Sequence, residues 1–364
     1  MNTSNPNMHS VIQRIATGPE LSKNISFEEA REAMAAVLDN NVSPVQSAIF
    51  LIALRMKRET DDENRGVLQA IIDSTEVVTA KVDEVLDITD PFNGQNRGLP
   101  VSAFLSPLLA ACGVPAFSHG LESVGPKYGI THRKVLAAAG KHVDLSPAQA
   151  AAQIENPDIG WAYIDQKAYS PKLHDLVSLR AEMIKRTVVT TVEEMVGPIR
   201  GRNKTHLLSG YVHKAYPPVY ASLAKQAGFD TAMIIRGIEG SVIPSLKQPA
   251  KLFYYQNDGE LNEMLVAPAA LGIDQPERCV PLPGDISNKG DGVTAENIDD
   301  LASLTAEAGL AALNGKKGAA YDSLAYIVAI VLVHLNKTES LRSAYDMASQ
   351  KLDSGDALKR FNAA

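Results

Sequence analysis

Cysteine is almost missing from this chain: Cys112 and Cys279 are the two present in 364 residues, and they share no metal or redox spacing. That excludes a disulfide scaffold and a cysteine-held metal, and it fits a reducing, cytoplasmic setting. Cys112, inside LLAACGV, is expected as a buried free thiol. Tryptophan occurs once and aromatic residues make up 5% of the chain, so the core must come from Ala, Leu, Val and Ile, which suits many packed helices. No apolar run is long enough for a bilayer: the longest, Leu324 to Leu335, is about twelve residues, contains His334 and reads as a buried helix. The polar start MNTSNPNMHSV lacks the apolar heart of a signal peptide, and no membrane partner is expected. Also missing are a Ser/His/Asp arrangement, zinc-ligand spacing, a Walker loop and a G-x-G-x-x-G fingerprint.

What is present is ordinary in bulk. Hydrophobic residues make up 45% and charged residues 21%, as in a soluble globular protein, and the length allows two domains or one large domain with a small companion. A net charge of −7 and a pI near 5.7 argue against nucleic-acid binding by the surface as a whole. Locally the balance reverses. Between Arg180 and Lys214 there are seven Lys and Arg against three Glu, with His206 and His213 able to add charge below neutrality.

Residues 26–40 carry Phe27, Ala30, Met34, Val37 and Leu38 at helical spacing, after Ser26 as N-cap with Glu29 three later. Ser43-Pro44 opens a second helix and Asn64 to Ser74 continues the pattern. From Val85 the period changes. VLDIT, VPAFS, WAYID, HLLSGYV, TAMIIRG and KLFYYQ are short β-type runs separated by longer helical stretches, the signature of an α/β fold with a mainly parallel sheet. PLPGDISNKGDG (281–292) reads as a loop, Asn297 to Asn314 as a helix stopped by Gly315, and two helices are expected to close the chain.

The most informative segment runs from Leu86 to Ser123: apolar run, Gly/Asn loop, helix, short apolar run, His-Gly turn. A loop between a strand and a helix N-terminus offers free N–H groups and a dipole that favour a phosphate. Asn93, Gly94, Asn96 and Arg97 are the candidate contacts, a plain surface turn the alternative.

This segment is similar to the phosphoribosyl-pyrophosphate-binding part of the anthranilate phosphoribosyltransferase family, glycosyltransferase family 3. SFEEAREAMAAVLDNNVSPVQSAIFLIALRMKR (26–58) resembles its N-terminal helices, LLAACGVPAFSHGLES (108–123) the segment with its Lys-His-Gly-Asn-Arg-Ser motif, and KLHDLVSLRAEMIKRT (172–187) the stretch with its anthranilate-side arginine, here Arg180. The tail LDSGDALKRF also ends as the family does. The resemblance implies a nucleoside phosphorylase/phosphoribosyltransferase-type fold: a small helical domain over 1–80, joined by helices from about 160–195, and an α/β domain over 81–364.

The motifs depart from the family's. Its Gly-Thr-Gly-Gly-Asp loop is replaced by Asp90-Pro91-Phe92-Asn93-Gly94-Gln95-Asn96, its Asn-x-Ser-Thr by Pro100-Val101-Ser102-Ala103, and its Lys-His-Gly-Asn-Arg-Ser by Ser118-His119-Gly120-Leu121-Glu122-Ser123. The turn that should hold an Asp-Glu magnesium pair reads RGIEGSVIPS (236–245), leaving Glu239 as the one candidate ligand. Losing Lys and Arg while gaining Glu122 makes the site less attractive to a polyanion. The pattern N-G-x-x-R, HG and RTVVTTVEEMVGP resembles still more closely the family's divergent proteobacterial paralogues, known as nucleic-acid-binding proteins.

Two expectations follow. In the first, the chain transfers a phosphoribosyl or pentosyl group to an acceptor other than anthranilate. Asn93, Gly94, Asn96, Arg97, Ser102, His119, Gly120, Ser123 and Lys127 then hold the phosphorylated sugar, Arg180 the acceptor, and Glu239 a magnesium ion or sugar hydroxyl. In the second, a non-catalytic paralogue binds nucleic acid through a groove lined by Arg186, Arg200, Arg202 and Lys204. A homodimer is expected in either case. For His119-Gly120 the alternative is structural, with Gly120 supplying a positive-φ turn; for Arg180 it is a helix-surface salt bridge; for 201–204 it is a solvated loop.

Overall fold

The computed structural model describes residues 6–18, 20–284 and 297–364. The chain begins with four helices, α1 (Pro6–Ile15), α2 (Phe27–Leu38), α3 (Pro44–Lys57) and α4 (Asp61–Asp73). Three start at capping boxes, Ser26 with Glu29, Ser43 with Gln46 and Thr60 with Glu63, so each first turn has its free N–H groups partly satisfied by its own sequence. The Thr60 cap explains why α4 begins three residues ahead of the expected Asn64.

Next come β1 (Val78–Thr79), β2 (Glu84–Thr89), α5 (Leu105–Ala111), β3 (Ala116–Gly120), α6 (His132–Ala138), α7 (Pro147–Glu155) and β4 (Trp161–Asp165). Four short helices follow, α8 (Gln166–Tyr169), α9 (Pro171–His174), α10 (Val177–Met183) and α11 (Val189–Val192), then β5 (Ile199–Arg200), β6 (Lys204–Tyr211), α12 (Tyr216–Gln226), β7 (Thr231–Arg236), β8 (Ala250–Gln256) and β9 (Asn262–Val266). The chain closes with α13 (Ile298–Leu313), α14 (Ala319–His334), α15 (Leu341–Asp353) and α16 (Asp356–Ala363). Three helices follow Gly318 rather than the expected two, because Gly355 at φ 75° breaks the last stretch. Most of the expected loop 281–292 lies outside the described residues.

The main sheet has the order β4-β3-β2-β6-β7-β8-β9; its first five strands are parallel and its last two pairings antiparallel. All six strands read from the sequence are present. The two-residue pair β1/β5 and the edge strand β9, which leaves most of its side chains exposed, were too short or too polar to stand out.

Each face of the sheet is covered by its own core. One packs Leu86, Ile88, Leu208 and Met233 against α5, α13 and α14, with α14 buried almost all round as its unbroken apolar run requires. The other packs Val85, Phe117, Ile164 and Ile234 against the N-terminal helices and α12. α10 touches α3, and α11 touches α4, so the 177–192 stretch joins the helical unit. Trp161 stacks on Phe361 at 5.5 Å and donates to the Arg360 carbonyl, fastening the last helix to β4.

Helices α2 and α4 lie so close at Gly66 that a Cβ there would fall 2.3 Å from the Phe27 carbonyl oxygen. Gly66→Ala should destabilise the protein by about 1–3 kcal/mol despite alanine's better helix propensity, read as a lower denaturation midpoint with unchanged m-value.

Candidate anion-binding cleft

Parallel strands end on the same edge of a sheet, and the loops leaving β2, β3, β6 and β7 meet there. They enclose two adjoining cavities of about 280 and 710 Å³. The first is lined by Arg55, Asn93, Arg97, Lys127, Arg186, Glu194, Tyr211, His213, Tyr216, Tyr220 and Glu239. The second adds Arg236, Lys247, Glu277, Arg278 and Cys279, and shares Arg97, Val212 and Glu239 with the first. Seven Lys or Arg therefore face three Glu along one continuous cleft. Five of the cations, Arg97, Arg186, Arg236, Lys247 and Arg278, are exposed and make no salt bridge among the described residues. One of the three Glu contributes less charge than its count suggests: burial, and the neighbouring Glu193, push the Glu194 carboxyl well above its usual range.

Behind the cleft the loops are locked by Asp90. Its buried carboxylate accepts from Ser102 Oγ, from Gln95 Nε2 at 2.9 Å, from Val242 N at 2.8 Å and from Ser241 Oγ at 3.2 Å, and lies 3.0 Å from His132 Nε2. Ser102 Oγ is also 3.0 Å from that same nitrogen. A Ser, a His and an Asp thus meet after all, but one ring nitrogen faces both partners, so there is no relay from hydroxyl through imidazole to carboxylate. Burial alone would raise the Asp90 carboxyl; hydrogen bonding and attraction from His132, with the Ser102 and Val242 donors, hold it below the usual carboxylate range.

The loop 93–97 is shaped by two glycines. Gly94 has φ 77°, and a Cβ on it would lie 2.4 Å from the Gly129 backbone. This close approach, with the Gln95–Ile130 bridge, brings Lys127 to the mouth of the loop. The Asn96 and Arg97 N–H groups both donate to Glu239 Oε2, at 2.8 and 2.7 Å, and Lys127 Nζ sits 2.5 Å from Oε1. Burial, with Arg186 and Arg97 nearby, lowers the Lys127 ammonium from its ordinary range against the pull of Glu239. The donors belong to the loop itself: α5, expected to present its N-terminus here, is a seven-residue helix beginning at Leu105.

Two family models match this chain: the helical bundle domain of a glycosyl transferase family over residues 9–75 and that family's α/β domain over residues 93–358. The chain belongs to glycosyltransferase family 3. It is similar to the anthranilate phosphoribosyltransferase of Thermomicrobium roseum, 26% identical across 96% of this chain and 94% of that protein. It is likewise similar to that of Bradyrhizobium diazoefficiens, 28% identical across 97% and 96%. The solved anthranilate phosphoribosyltransferase of Thermus thermophilus matches with a TM-score of 0.75 at 19% identity, covering 98% of this chain and 97% of that one. The Saccharomyces cerevisiae enzyme in complex with PRPP and Mg matches with a TM-score of 0.74 at 16% identity, covering 100% and 98%. The family and the α/β fold with its helical bundle are as the sequence led us to expect.

Within this glycosyltransferase family 3 fold the expected site residues divide. Asn93, Arg97, Lys127, Arg186 and Glu239 line the cleft, with Gly94 and Asn96 supporting it. Others are engaged inside the protein. Ser102 belongs to the Asp90 cluster. His119 is 2% exposed, with Nδ1 2.8 Å from the Tyr169 hydroxyl and Nε2 3.0 Å from Asp87. Gly120 has no positive φ: it ends strand β3, where a Cβ would make ordinary contacts. Ser123 is half-buried on the following loop, outside the cleft lining. Arg180 is 3% exposed and grips Glu193 with both terminal nitrogens, at 2.6 and 2.7 Å, a buried pair rather than the surface bridge weighed against the acceptor role.

The groove expected from Arg186, Arg200, Arg202 and Lys204 does not form one surface. Lys204 opens β6 and Tyr211 closes it at the cleft, about 23 Å away at strand rise. Arg200 is turned inward, donating to the Val196 and Ala227 carbonyls and lying over the Phe229 ring at 4.7 Å. Lys204 and Arg202 are exposed at that far end. His206 is likewise internal, between Thr231 and Glu84.

For magnesium the residues present do not fit. Both oxygens of Glu239 already face cationic or amide hydrogens, and the turn 236–245 carries no second carboxylate. Cys279, on the cleft wall, has its thiol pushed up to about 11 by burial, and Cys112, half-buried, to about 12, so neither is a thiolate at neutral pH. No helix among the described residues is long and apolar enough to cross a membrane.

Tyr216, Tyr220, Lys247 and Arg278 were missed, since none sits in a motif; Arg55 lies in the family-like stretch 26–58 but was read only as helix, and Arg236 had a signal, at the end of a predicted strand. Asp90→Asn should cost about 2–4 kcal/mol at neutral pH, because it replaces an acceptor among donors. A lowered carboxyl contributes stability above the unfolded value of about 4 and loses it as pH falls through the folded one. The gap between wild type and Asp90→Asn in denaturant melts should therefore shrink as the pH drops below about 4.

Proposed function

We propose that this chain is a non-catalytic nucleic-acid-binding member of its family, taking up the phosphate backbone in the cleft rather than transferring a phosphoribosyl group. The observation that carries this reading is the set of five exposed cations, without salt bridges among the described residues, around a cleft whose tightest anion seat is already filled by Glu239. Phosphoribosyl transfer needs a held diphosphate and an aligned acceptor. Here the diphosphate loop, the Arg180 guanidinium and the magnesium turn are each engaged with the protein's own groups. A transferase acting on another acceptor is supported by family membership alone.

The same cleft holds aromatic rings beside its cations: His213 lies 6.2 Å from Tyr216, and Tyr216 lies 5.4 Å from Tyr220. Rings beside a cationic track suit unstacked bases, so single strands are the preferred ligand. We further propose a homodimer through the helical unit, where Val45 and Met56 on α3 and Ile184 at the end of α10 are 68%, 74% and 70% exposed. Sedimentation should show a dimer that Met56→Glu with Ile184→Glu converts to monomer.

Affinity for a single-stranded oligonucleotide should fall with salt, with a log–log slope of roughly −3.5 for five phosphate contacts. Arg186→Ala, Arg236→Ala or Arg278→Ala should each reduce that slope by about 0.7, whereas Arg202→Ala should leave it unchanged. A flat salt response, or larger losses from Arg202→Ala, would reject the cleft as the binding surface. Calorimetry with phosphoribosyl pyrophosphate and magnesium should show no binding to the wild-type protein.

A further inference from the structure

We propose that Glu239 is an internal phosphate mimic and the residue that decides which anions the cleft refuses. Its carboxylate sits where a phosphate would, on two consecutive backbone N–H groups and one ammonium, and so keeps free mono- and diphosphates out.

The geometry is that of a bound ligand. One oxygen accepts from Asn96 N and Arg97 N at 2.8 and 2.7 Å, the other faces Lys127 Nζ at 2.5 Å, and the carboxylate side chain is 7% exposed. Adjacent N–H groups converging on one oxygen make a concave, partly positive seat suited to an anion. The chain accepts an unfavourable backbone to fill it: Glu239 has φ 56° and ψ 17°, where a side chain is disfavoured. Nothing else in the turn relaxes around it. A Cβ on Gly237 would lie 1.6 Å from the Ser241 carbonyl oxygen, and one on Gly210 1.9 Å from that of Gly240, so the turn is clamped against β6. The amide loop is held separately, by Gln95 on Asp90 and by Gly94 against Gly129, so removing the Glu239 side chain should empty the seat without moving its walls.

The consequence is one of selection. A free phosphate must displace a tethered carboxylate from the seat, and the tether gives that carboxylate a high effective concentration. This inference stands on the geometry of the two amides and the Lys127 ammonium, and holds whether or not the cleft takes a polymer.

Glu239→Gly is the decisive variant, because glycine adopts φ 56° freely and the fold should be kept. Glu239→Ala serves as a second form, and circular dichroism checks both. With inorganic pyrophosphate as the probe, calorimetry should show Glu239→Gly binding about tenfold tighter than wild type, or more. The gain should vanish when Lys127→Met is added. Glu277→Gln, which removes one charge from the same cleft without vacating the amides, should stay within about twofold of wild type. Equal binding by wild type and Glu239→Gly, no binding by either, or an equal gain from Glu277→Gln would each overturn the proposal. Oligonucleotide retention measured on the same proteins reports separately on the polymer reading.

Discussion

The Asp90 carboxylate, buried at the end of β2, collects donors from four separate stretches: the loop at Gln95, the turn at Ser102, His132 at the start of α6 and the 241–242 backbone. A buried carboxylate is costly unless it is fully hydrogen-bonded, and here the cost is offset by drawing the loops of three strands onto one point. The 241–242 contact matters most for the cleft. It holds the turn that carries Glu239, while Gln95 holds the loop that carries the Asn96 and Arg97 amides. The meeting of carboxylate and amides at the cleft floor thus depends on a second carboxylate behind it.

In that arrangement, groups that could serve a phosphorylated sugar are satisfied by the protein itself. Arg180 has Glu193, Lys127 and the loop amides have Glu239, and Ser102 has Asp90. Each pairing lowers the energy of the empty protein, so a ligand must first break it. The cations that remain uncommitted stand further out, on exposed rims, where each is worth little alone and solvent screens it. A small anion gains little from them. An extended chain of phosphates can touch several at once.

Most of the fold was legible in the sequence because it rests on local signals that act alone. Ser26 with Glu29 and Ser43 with Pro44 announce their helices, and the six apolar runs between Val85 and Gln256 announce their strands. The site was legible only in part. Asn93, Arg97, Lys127 and Glu239 could be named because they stand in or beside motif positions. Their partners could not: Arg97 meets Glu239 across 142 residues, and Asp90 meets Val242 across 152. The same distance explains the misplaced groove. Arg186 and Arg200 are close in sequence, but Arg200 turns inward from β5, which pairs with β1 outside the main sheet, and Lys204 opens β6 at the end away from the cleft, so the charge cluster counted along the chain is divided in space.

The composition of the 93–97 loop also has a physical reading. Glycines in such a loop let phosphate oxygens approach several N–H groups at once. In this chain Phe92 packs against His119 at 5.2 Å and Asn96 is buried, so the loop has become part of the core, with two N–H groups left to point outward. A buried-edge N–H pair without an acceptor is itself unfavourable. The Glu239 carboxylate, from the opposing turn, satisfies this pair. Gly94 sets the loop against Gly129, and Lys127 balances the charge that Glu239 brings in.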